Sequence, residues 1–536
     1  MSSYITPDDF TGTDTQKVQA ALNARGAIRL NRSYSITSTL TIYGNTQLLG
    51  DPNAKLVWSG SATDSILQDS SVVTSSDVNL NIMLENFEID GGGQTSGTAA
   101  QLAIKFYRTG NVTIRGLRVH GVGGSGIRWG FSQTDTINVL VENCVVYDCR
   151  LGDAIQGTGQ KIVVRNNKIG AVGGLVSNFG DTGIALLTDF EATNPAPIQY
   201  ANDVEISGNT IAGNHNDNQT GIAFGPFDVG FQANIRVIGN TVIKCYLNLW
   251  AIVMDDVLIA ENNFGPHSAT GTGNVRIDGV TNARILNNKI DLALVGNGPD
   301  YAAILLNAQR NVYGASKFDA DVSRFDVRGN SIASSVGGTG IRATFEQVNT
   351  SPSYVSRLTS GRIEGNSFAG LTTPIALAPQ TGANADTCND VVICGNRADA
   401  AANSLVAAAG NANQFVAVRL LDNPVIGTVP ACSGTGSDDL IVQHKVFAKV
   451  SAPSGIPTTV LTLPSAGYFR VDVNAFAKAA NSTFSATATI TVNGGAVRIA
   501  EQSDGENLRL TLSGHDIKIN QTAGETNDVR IAAVYS

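Results

Sequence analysis

The sequence is poor in charge and in cysteine, and it has no long hydrophobic run. Only 15% of its 536 residues are charged, and the net charge of −9 comes without a basic tail, so we expect no nucleic-acid partner. No apolar run approaches the ~20 residues that span a bilayer, and the N-terminus lacks the basic and apolar regions of a signal peptide, so we expect no membrane partner. The six cysteines show no CxxC pair and no Cys/His spacing, so we expect neither a metal nor a cofactor.

A short pattern recurs from Ile114 to Val425: an apolar residue, two spacers, Asn, one spacer and another apolar residue. It reads DVEISGNTI at 203–211 and returns as NIRVIGNTV, NARILNNKI and RFDVRGNSI. The spacing ranges from 22 residues (Asn240 to Asn262) to 42 residues (Asn167 to Asn209). The central position holds Leu117 and Cys144, followed by Asn167, Asn209, Asn240, Asn262, Asn288, Asn330, Asn366, Asn396 and Asn423.

A fixed local pattern at a variable period of ~20–40 residues is typical of a solenoid. The alternation of apolar residues predicts strands that are too short to bury themselves and must stack on their neighbours. Stacked asparagines can pass hydrogen bonds from rung to rung, and Asn tolerates the left-handed turn conformation. A β-sandwich would explain the alternation but not the Asn column. We therefore predict an all-β parallel β-helix.

The chain divides into four predicted parts. Residues 1–80 are expected to form an N-terminal cap and the first strands, with a helix at 15–24 that covers the unpaired backbone of the first rung. Residues 81–426 form the β-helix body, and 427–439 form a Gly/Ser/Pro-rich linker. Residues 440–536 show plain alternation and a hairpin turn at Asn493-Gly494-Gly495, which predicts a C-terminal antiparallel β-sandwich.

The opening run DDFTGTDTQKVQAALNARGAIRLNRSYSITSTLTIYGNTQLLG resembles the entry segment of the pectate-lyase-like superfamily, which includes phage tailspikes. The resemblance implies a right-handed β-helix, a homotrimer, a polysaccharide partner, and a place on a virion tail or outside the cell. For residues 440–536 it implies trimerisation or sugar contact. Polygalacturonases of the superfamily carry Asn-Thr-Asp and Gly-His-Gly motifs that are absent here. Asp255-Asp256 is therefore interpreted as a turn, and the reaction stays open.

A groove is predicted along the second strand of each rung, where long loops on both sides would form walls suited to a linear polymer. An isoleucine of each such strand points inward and the next residue outward, so the floor is predicted to be lowest at Ala185 and Ala223. Aromatic side chains near this point could stack on sugar rings. The candidate substrate-binding residues are Arg128, Trp129, Ala185, Ala223, Phe190, Phe227, Tyr200 and Tyr301.

Acidic residues gather around the predicted low point. Rungs lie about 4.7–4.9 Å apart, so carboxylates of adjacent rungs approach the ~5–5.5 Å separation of retaining glycosidases, and carboxylates across the groove the ~6.5–9.5 Å of inverting ones. Glu191 is expected to be the acid, with Asp181 or Asp228 as nucleophile or base. An Asp beside a turn can equally cap backbone amides, which applies to Asp153 and Asp181. The candidate catalytic residues are Glu191, Asp181, Asp228, Asp189 and Asp153.

The favoured function is depolymerisation of a bacterial surface polysaccharide (capsule, O-antigen or exopolysaccharide) by glycosidic bond hydrolysis. Three alternatives remain open: a polysaccharide lyase that acts by β-elimination on a uronate-containing glycan, a fructan-type transglycosidase, and a non-catalytic glycan-binding adhesin. A lyase needs a cation against the sugar carboxylate, for which Arg128, Arg276 and Arg342 are candidates. The negative net charge argues against this alternative because it repels a polyanion at long range.

Overall fold

The structure is a computed structural model of the chain. It describes residues 4–61, 65–74, 78–93, 102–130, 136–174, 179–188, 201–214, 219–226, 232–266, 273–292, 302–313, 316–347, 357–378, 387–399, 404–408, 415–421, 423, 432–433, 441–444, 450–452, 458–462, 467–477, 482–493, 496–503, 508–513, 516–521 and 527–535.

An amphipathic helix closes the N-terminal end of the molecule. It spans Asp14–Ala24 and begins with a capping box, in which Thr13 and Gln16 exchange side-chain and backbone hydrogen bonds. The apolar face predicted for it is buried, since Val18, Ala21 and Leu22 are 0% exposed. On the same helix, Gln19 Oε1 accepts from the Thr41 backbone N–H at 2.8 Å, and Gln19 Nε2 donates to the Thr41 carbonyl at 3.0 Å. The helix therefore satisfies the backbone of an edge strand, as predicted. The other helical segments are Pro7–Asp9, Ser70–Val73 and Val172–Gly174.

Successive rungs pair in parallel and form three faces. Face I contains the first apolar column, face II the short strands after the asparagines, and face III the second strands of the rungs. Face II is a sheet of thirteen strands. Faces I and III are joined where Leu247–Ala260 and Gly273–Leu286 run through the corner as continuous strands. The predicted parallel β-helix is confirmed.

Besides the two continuous strands, each face consists of the following segments. Face I holds Gly26–Leu30, Thr46–Gly50, Asn79–Glu85, Thr109–Arg115, Ile137–Glu142, Gln160–Arg165, Asn202–Ser207, Gln232–Ile238, Val322–Ser323, Asp326–Arg328, Arg357–Glu364, Thr387–Cys394, Phe415–Val416, Arg419–Leu421 and Ile441–His444. Face II holds Ser33–Ile36, Lys55–Trp58, Glu88–Asp90, Arg118–His120, Val145–Val146, Lys168–Gly170, Thr210–Ala212, Thr241–Ile243, Asn263–Phe264, Lys289–Asp291, Ser331–Ala333, Ser367–Ala369 and Arg397–Ala398. Face III holds Leu40–Ile42, Leu67–Asp69, Ile104–Phe106, Ile127–Trp129, Ile155–Gly157, Thr182–Thr188, Thr220–Pro226, Ala302–Tyr313, Thr339–Gln347, Thr373–Ala378, Val406–Ala408 and Cys432–Ser433, and Ser316–Ala320 pairs with Ala302–Tyr313 as an antiparallel hairpin.

The predicted inward columns form the core. All of their described members are at most 1% exposed. In face I they are Ile114, Val141, Val164, Ile206, Val237, Ile259, Ile285, Val327, Ile363, Ile393 and Leu420; in face III they are Ile127, Ile155, Ile184, Ile222, Ile304, Ile341 and Ile375. The period-2 pattern therefore gave the correct side of each strand.

The asparagines form one continuous hydrogen-bonded ladder at the corner between faces I and II. From Asn167 to Asn423, each Nδ2 donates to the Oδ1 of the next asparagine at 2.9–3.2 Å. Each backbone N–H donates to the same oxygen at 2.9–3.0 Å. The second hydrogen of Nδ2 reaches a carbonyl of the preceding rung, such as Ile206 O for Asn240. The ladder predicted from the sequence is confirmed.

The left-handed conformation occurs one residue earlier than predicted. The ladder asparagines have negative φ, whereas the residue before each asparagine from Asn167 to Asn396 has positive φ, for example Asn166 (56°), Gly208 (63°), Glu261 (59°) and Gly329 (66°). The sharp turn is made by that residue. The ladder asparagine contributes its side chain rather than its tolerance of a left-handed backbone.

The described strands also show where the stack begins and ends. Gly26–Leu30 pairs in parallel with Thr46–Gly50, so the stack begins before residue 81. Cys432–Ser433, inside the predicted linker, pairs in parallel with Val406–Ala408, so the stack continues into that segment. The boundaries at 426 and 440 remain predictions.

Antiparallel strands follow the last parallel rung. Ser482–Asn493 pairs with Ala496–Ser503 across the predicted hairpin. The strands in this part are Val450–Ala452, Thr458–Thr462, Gly467–Ala477, Ser482–Asn493, Ala496–Ser503, Leu508–Ser513, Asp516–Gln521 and Asn527–Tyr535. Thr458–Thr462, Leu508–Ser513 and Asp516–Gln521 form a separate antiparallel sheet, and the other five pair antiparallel with one another and join face I where Asn527–Tyr535 pairs with Ile441–His444. They form the C-terminal antiparallel β-sandwich. Among the described residues, no helix has the length and hydrophobicity that a bilayer-spanning segment requires.

Candidate functional site

The outward surface of face III carries one side chain per rung in an aligned column. The pairing register of adjacent strands shows which residues are neighbours in this column, and the outward position of each agrees with the alternation predicted from the sequence. The column runs Lys105, Arg128, Gln156, Ala185, Ala223, Trp250, Arg276, Leu305, Arg342, Ala376 and Ala407. The side chains of this column differ in size and charge from rung to rung, unlike the asparagines of the ladder.

Asp153 and Asp181 lie in adjacent rungs at one edge of this surface. The Gly180 and Asp181 N–H groups both donate to the Gly152 carbonyl, at 3.0 and 3.3 Å, which holds the two segments side by side. Asp153 is 6% exposed, and its Oδ1 accepts the Thr182 backbone N–H at 2.9 Å. The backbone-capping role that the sequence allowed for Asp153 is therefore present. Asp181 is exposed and stands at the start of its strand.

The two carboxylates interact electrostatically. Burial, and next to it the negative charge of Asp181, raise the pKa of Asp153 to about 7, while the positive charge of Arg128 and the bond from Thr182 oppose the shift. Partial desolvation also raises the pKa of Asp181. Near pH 7, Asp153 therefore retains a proton on part of the molecules. Two carboxyl groups with raised pKa values lie together at this edge.

Three predicted substrate-binding residues lie in different surroundings from those predicted. Trp129 is 1% exposed because it lies two residues after the inward Ile127 and points into the core. Its indole packs against Gly157 of the next rung, at a place where no Cβ would fit. Ala185 and Ala223 point outward by register, yet they are 0% and 1% exposed. Other parts of the chain cover them, so the prediction of an open floor at these two alanines was wrong. The small side chains of these alanines leave no open space, because neighbouring groups fill the volume above them.

One further candidate for substrate binding lies within the described part of the chain. Arg128 is half-buried on the outward column, as predicted. The other predicted residues lie outside the described part of the chain: Asp189, Phe190, Glu191, Tyr200, Phe227, Asp228 and Tyr301.

A second polar group lies on face III, and of its residues the sequence had singled out only Arg276. Asp278 is 0% exposed, and its Oδ2 accepts hydrogen bonds from Trp250 Nε1 at 2.7 Å and from Arg276 Nε at 2.8 Å. Its Oδ1 accepts from Asn307 Nδ2 at 3.0 Å. Burial raises the pKa of Asp278, opposed by these three partners. Trp250 and Asp278 were not predicted because the inward positions of their rungs hold Leu249 and Val275 instead of the isoleucine that marks the second strand of the other rungs.

Face II carries a third charged group, around Glu88, Asp90 and His120. One ligand-capable atom from each of these three lies within 4.8 Å of the others. However, Glu88 Oε1 lies 2.7 Å from Lys55 Nζ and 3.1 Å from His120 Nε2, and Glu88 Oε2 lies 3.9 Å from Arg118 Nε. Cations of the protein already balance the charge of Glu88, so this group is an ion-pair network on the outside of face II.

Comparison with known proteins supports the fold. A family model described as a right-handed β-helix region matches residues 102–264. The mannuronan C-5 epimerase AlgE6 A-module of Azotobacter vinelandii superposes with a TM-score of 0.54 at 17% identity, covering 74% of this chain and 99% of that one. The fold is that of a right-handed parallel β-helix. The tailspike of Escherichia coli bacteriophage HK620 is similar over 99% of this chain and 93% of its own, with a TM-score of 0.53 at 12% identity.

The β-helix resembles both a virion protein and a sugar-modifying enzyme module. Another HK620 tailspike structure, with a TM-score of 0.54 and 12% identity, contains a bound pentasaccharide; it covers 99% of this chain and 93% of that one. No curated protein sequence matches the chain. At these identities the likeness establishes the β-helix itself, and the chemistry has to be argued from the residues of this chain.

Proposed function

We propose that this β-helix protein binds a bacterial surface polysaccharide along face III and cleaves it by hydrolysis of glycosidic bonds. The observation that carries the proposal is the coupled pair Asp153 and Asp181 at the edge of the outward column. Hydrolysis of a glycosidic bond needs one protonated and one ionised carboxyl group. In this proposal Asp181 is the ionised group, and Asp153 sets the charge around it rather than serving as the acid. The fold likeness to a tailspike with a bound pentasaccharide agrees with it.

The two aspartates have different roles in this proposal. Asp181 is the exposed member and meets the substrate as nucleophile or water-activating base. Asp153 is buried and bonded to the Thr182 backbone, so it acts as a positioning residue that sets the charge and orientation of the edge. The acid is proposed to be Glu191, with Asp189 and Asp228 as the other candidates, because a longer side chain can reach across a bound sugar ring.

The test is Asp181→Asn, assayed by the release of reducing ends from a panel of capsular, O-antigen and exopolysaccharides. The amide keeps the shape of the side chain but cannot act as a base, so turnover should fall by roughly 10²–10⁴ with glycan binding retained. Asp256→Asn is the matched control, since Asp256 is a surface carboxylate paired with Arg284 at 2.8 Å on face I. If the single amides at Asp181, Asp189, Glu191 and Asp228 all keep near-full activity, the catalytic assignment is wrong.

A polysaccharide lyase is the second candidate, because Arg276 stands in the outward column and is held by Asp278 at 2.8 Å. Such a cation could neutralise the carboxylate of a uronate sugar. Lyase products carry a double bond that absorbs in the ultraviolet, whereas hydrolysis releases reducing ends without that absorbance. Neither signal on the full panel would favour a non-catalytic adhesin.

We also propose that the chain assembles as a homotrimer on a virion tail or outside the cell. Closed cyclic assembly is common for homo-oligomers, and the tailspike-like order of cap, β-helix and antiparallel module agrees with this location. Sedimentation at the mass of a monomer over a wide concentration range would rule out the trimer and leave the fold unchanged.

A further inference from the structure

Trp250 is the one tryptophan of this chain that reaches the surface. The chain has three; Trp58 and Trp129 are 4% and 1% exposed, whereas Trp250 is half-buried on the outward column of face III. A single partly exposed indole is common in proteins. The significance of Trp250 therefore depends on the contacts that hold it.

Several contacts fix the orientation of this indole. Its Nε1 donates to Asp278 Oδ2 at 2.7 Å, and Asp278 is itself completely buried. The Arg276 guanidinium carbon lies 5.8 Å from the centre of the Trp250 ring, and its Nε donates to the same carboxylate oxygen at 2.8 Å. The ring also packs against Ile252 and Val253, a small apolar cluster separate from the main core.

Two features of this arrangement, a buried charge and a strained backbone, lower the stability of the folded protein. A buried carboxylate loses its hydration and is tolerated only when hydrogen bonds replace it, as the three donors to Asp278 do. The backbone beside the ring is also strained, since the β-branched Val253 has φ 39°, while Gly279 holds the equivalent position in the next rung with φ 62°. Strained residues of this kind are concentrated at functional sites.

We propose that Trp250 and Arg276 form a sugar-binding subsite, with Asp278 as the positioning residue that holds both side chains. The indole supplies apolar surface for the C–H groups of a pyranose ring, and the guanidinium supplies N–H donors for its hydroxyl groups. The inference rests on the proposed function and names a specificity determinant of the same surface. Trp250 is two rungs from the rung of Asp181, about 10 Å along the axis, so one polysaccharide chain along face III reaches both.

The first test uses tryptophan fluorescence with alginate, polygalacturonate and purified bacterial O-polysaccharides as probes. Trp250 should account for most of the quenching by acrylamide, and Trp250→Phe should remove that component, whereas Trp58→Phe should not. At least one probe should protect the quenchable component. If none of the probes protects it, the subsite is wrong.

The second test measures the Kd for the protecting probe. Trp250→Ala should weaken binding on the order of tenfold or more, and Trp250→Phe should weaken it less because an aromatic ring remains. Asp278→Asn should weaken binding and increase the acrylamide-accessible fraction of Trp250, an effect that a merely structural role would not produce. Asp69→Asn is the matched control: Asp69 is also 0% exposed on face III and bonded to Ser71 and Asn79, so its loss should leave the Kd unchanged.

The results separate this subsite from the proposed catalysis. Unchanged binding in a folded Trp250→Phe and Trp250→Ala, with cleavage abolished by Asp181→Asn, overturns the subsite and keeps the catalytic proposal. Weakened binding in the Trp250 variants, with normal cleavage by Asp181→Asn, keeps the subsite and overturns the catalytic role of Asp181. Thermal melting of each variant confirms that the protein compared is folded.

Discussion

The asparagine corner and the outward surface of face III are built from the same rungs but differ in regularity. At the corner, Asn167 to Asn423 make the same bonds from rung to rung at 2.9–3.2 Å. Along face III, the outward residue changes from Gln156 to Ala185 and from Ala223 to Trp250 between adjacent rungs. The difference shows that stacking constrains the inside and the corner of a rung, whereas the outward surface is open to specialisation.

The largest effect is expected inside the regular part. Ile206→Ala should lower the free energy of unfolding by roughly 2–5 kcal/mol, because it removes a fully buried column side chain and leaves a cavity. Arg236→Ala is the control on the exposed side of the neighbouring strand and should change stability by less than about 0.5 kcal/mol. Denaturant unfolding measures both. A negligible loss for Ile206→Ala would mean that the column does not support the stack.

The next effect concerns the ladder itself. Asn240→Ala should cost about 2–4 kcal/mol, because it removes the acceptor of the Asn209 backbone N–H and side-chain amide and leaves buried donors unpaired. Cys144, at the same position near the start of the column, makes only weak sulfur contacts, such as Sγ to Ile114 O at 3.7 Å. Cys144→Ala should therefore cost clearly less in the same thermal or denaturant unfolding experiment. Equal losses at the two positions would show that the ladder bonds contribute little.

A smaller effect is expected on face III. On an open floor, Ala223→Trp would leave the stability of the protein unchanged. However, Ala223 is only 1% exposed. The larger ring should overpack the surface and cost about 1–3 kcal/mol. Its thermal melting can be compared with that of Gln156→Trp, at a half-buried position of the same column. If Ala223→Trp melts like the unchanged protein, the surface above this alanine is open after all.

The last effect is a gain in the free energy of unfolding that depends on pH. The pKa of Asp153 is raised to about 7 in the folded protein, so the folded state holds more protons than the unfolded state between about pH 4 and 7. Folding stability therefore falls as the pH rises through this window. Asp153→Asn keeps an oxygen for the Thr182 N–H and removes this loss, so it should raise stability by at least about 1 kcal/mol at pH 8 and by much less at pH 4.

Melting curves at the two pH values measure this gain. Asp390→Asn, at an exposed ion pair with Arg419, serves as the control and should leave the pH dependence as it is. The same gain at pH 4 and pH 8 for Asp153→Asn would contradict the protonated state assigned to Asp153.

Much of the fold could be predicted from the residues alone, because it follows from local repetition. The apolar columns at Ile206 and Ile259, the cap helix with Leu22 inside and the outward position of Arg128 all follow from period-2 or period-3.6 spacing. The asparagine ladder could be predicted because Asn occupies the same position in successive repeats. What failed was the inference of open space from small side chains at Ala185 and Ala223. The exposure of these side chains depends on packing by residues distant in sequence, and no local sequence pattern records that packing.

The alternation of apolar residues decides which side of each strand is buried, since a strand has only two sides and burial of one fixes the other. The sequence also determined that Asn would line one corner, because only a side chain with both donors and an acceptor can repeat the same bond along the axis. Only the tertiary structure brought Trp250, Arg276, Asp278 and Asn307 together, and only it gave Asp153 its raised pKa. These properties depend on distances between rungs separated by variable loops, and so on the stacked chain rather than on any single repeat.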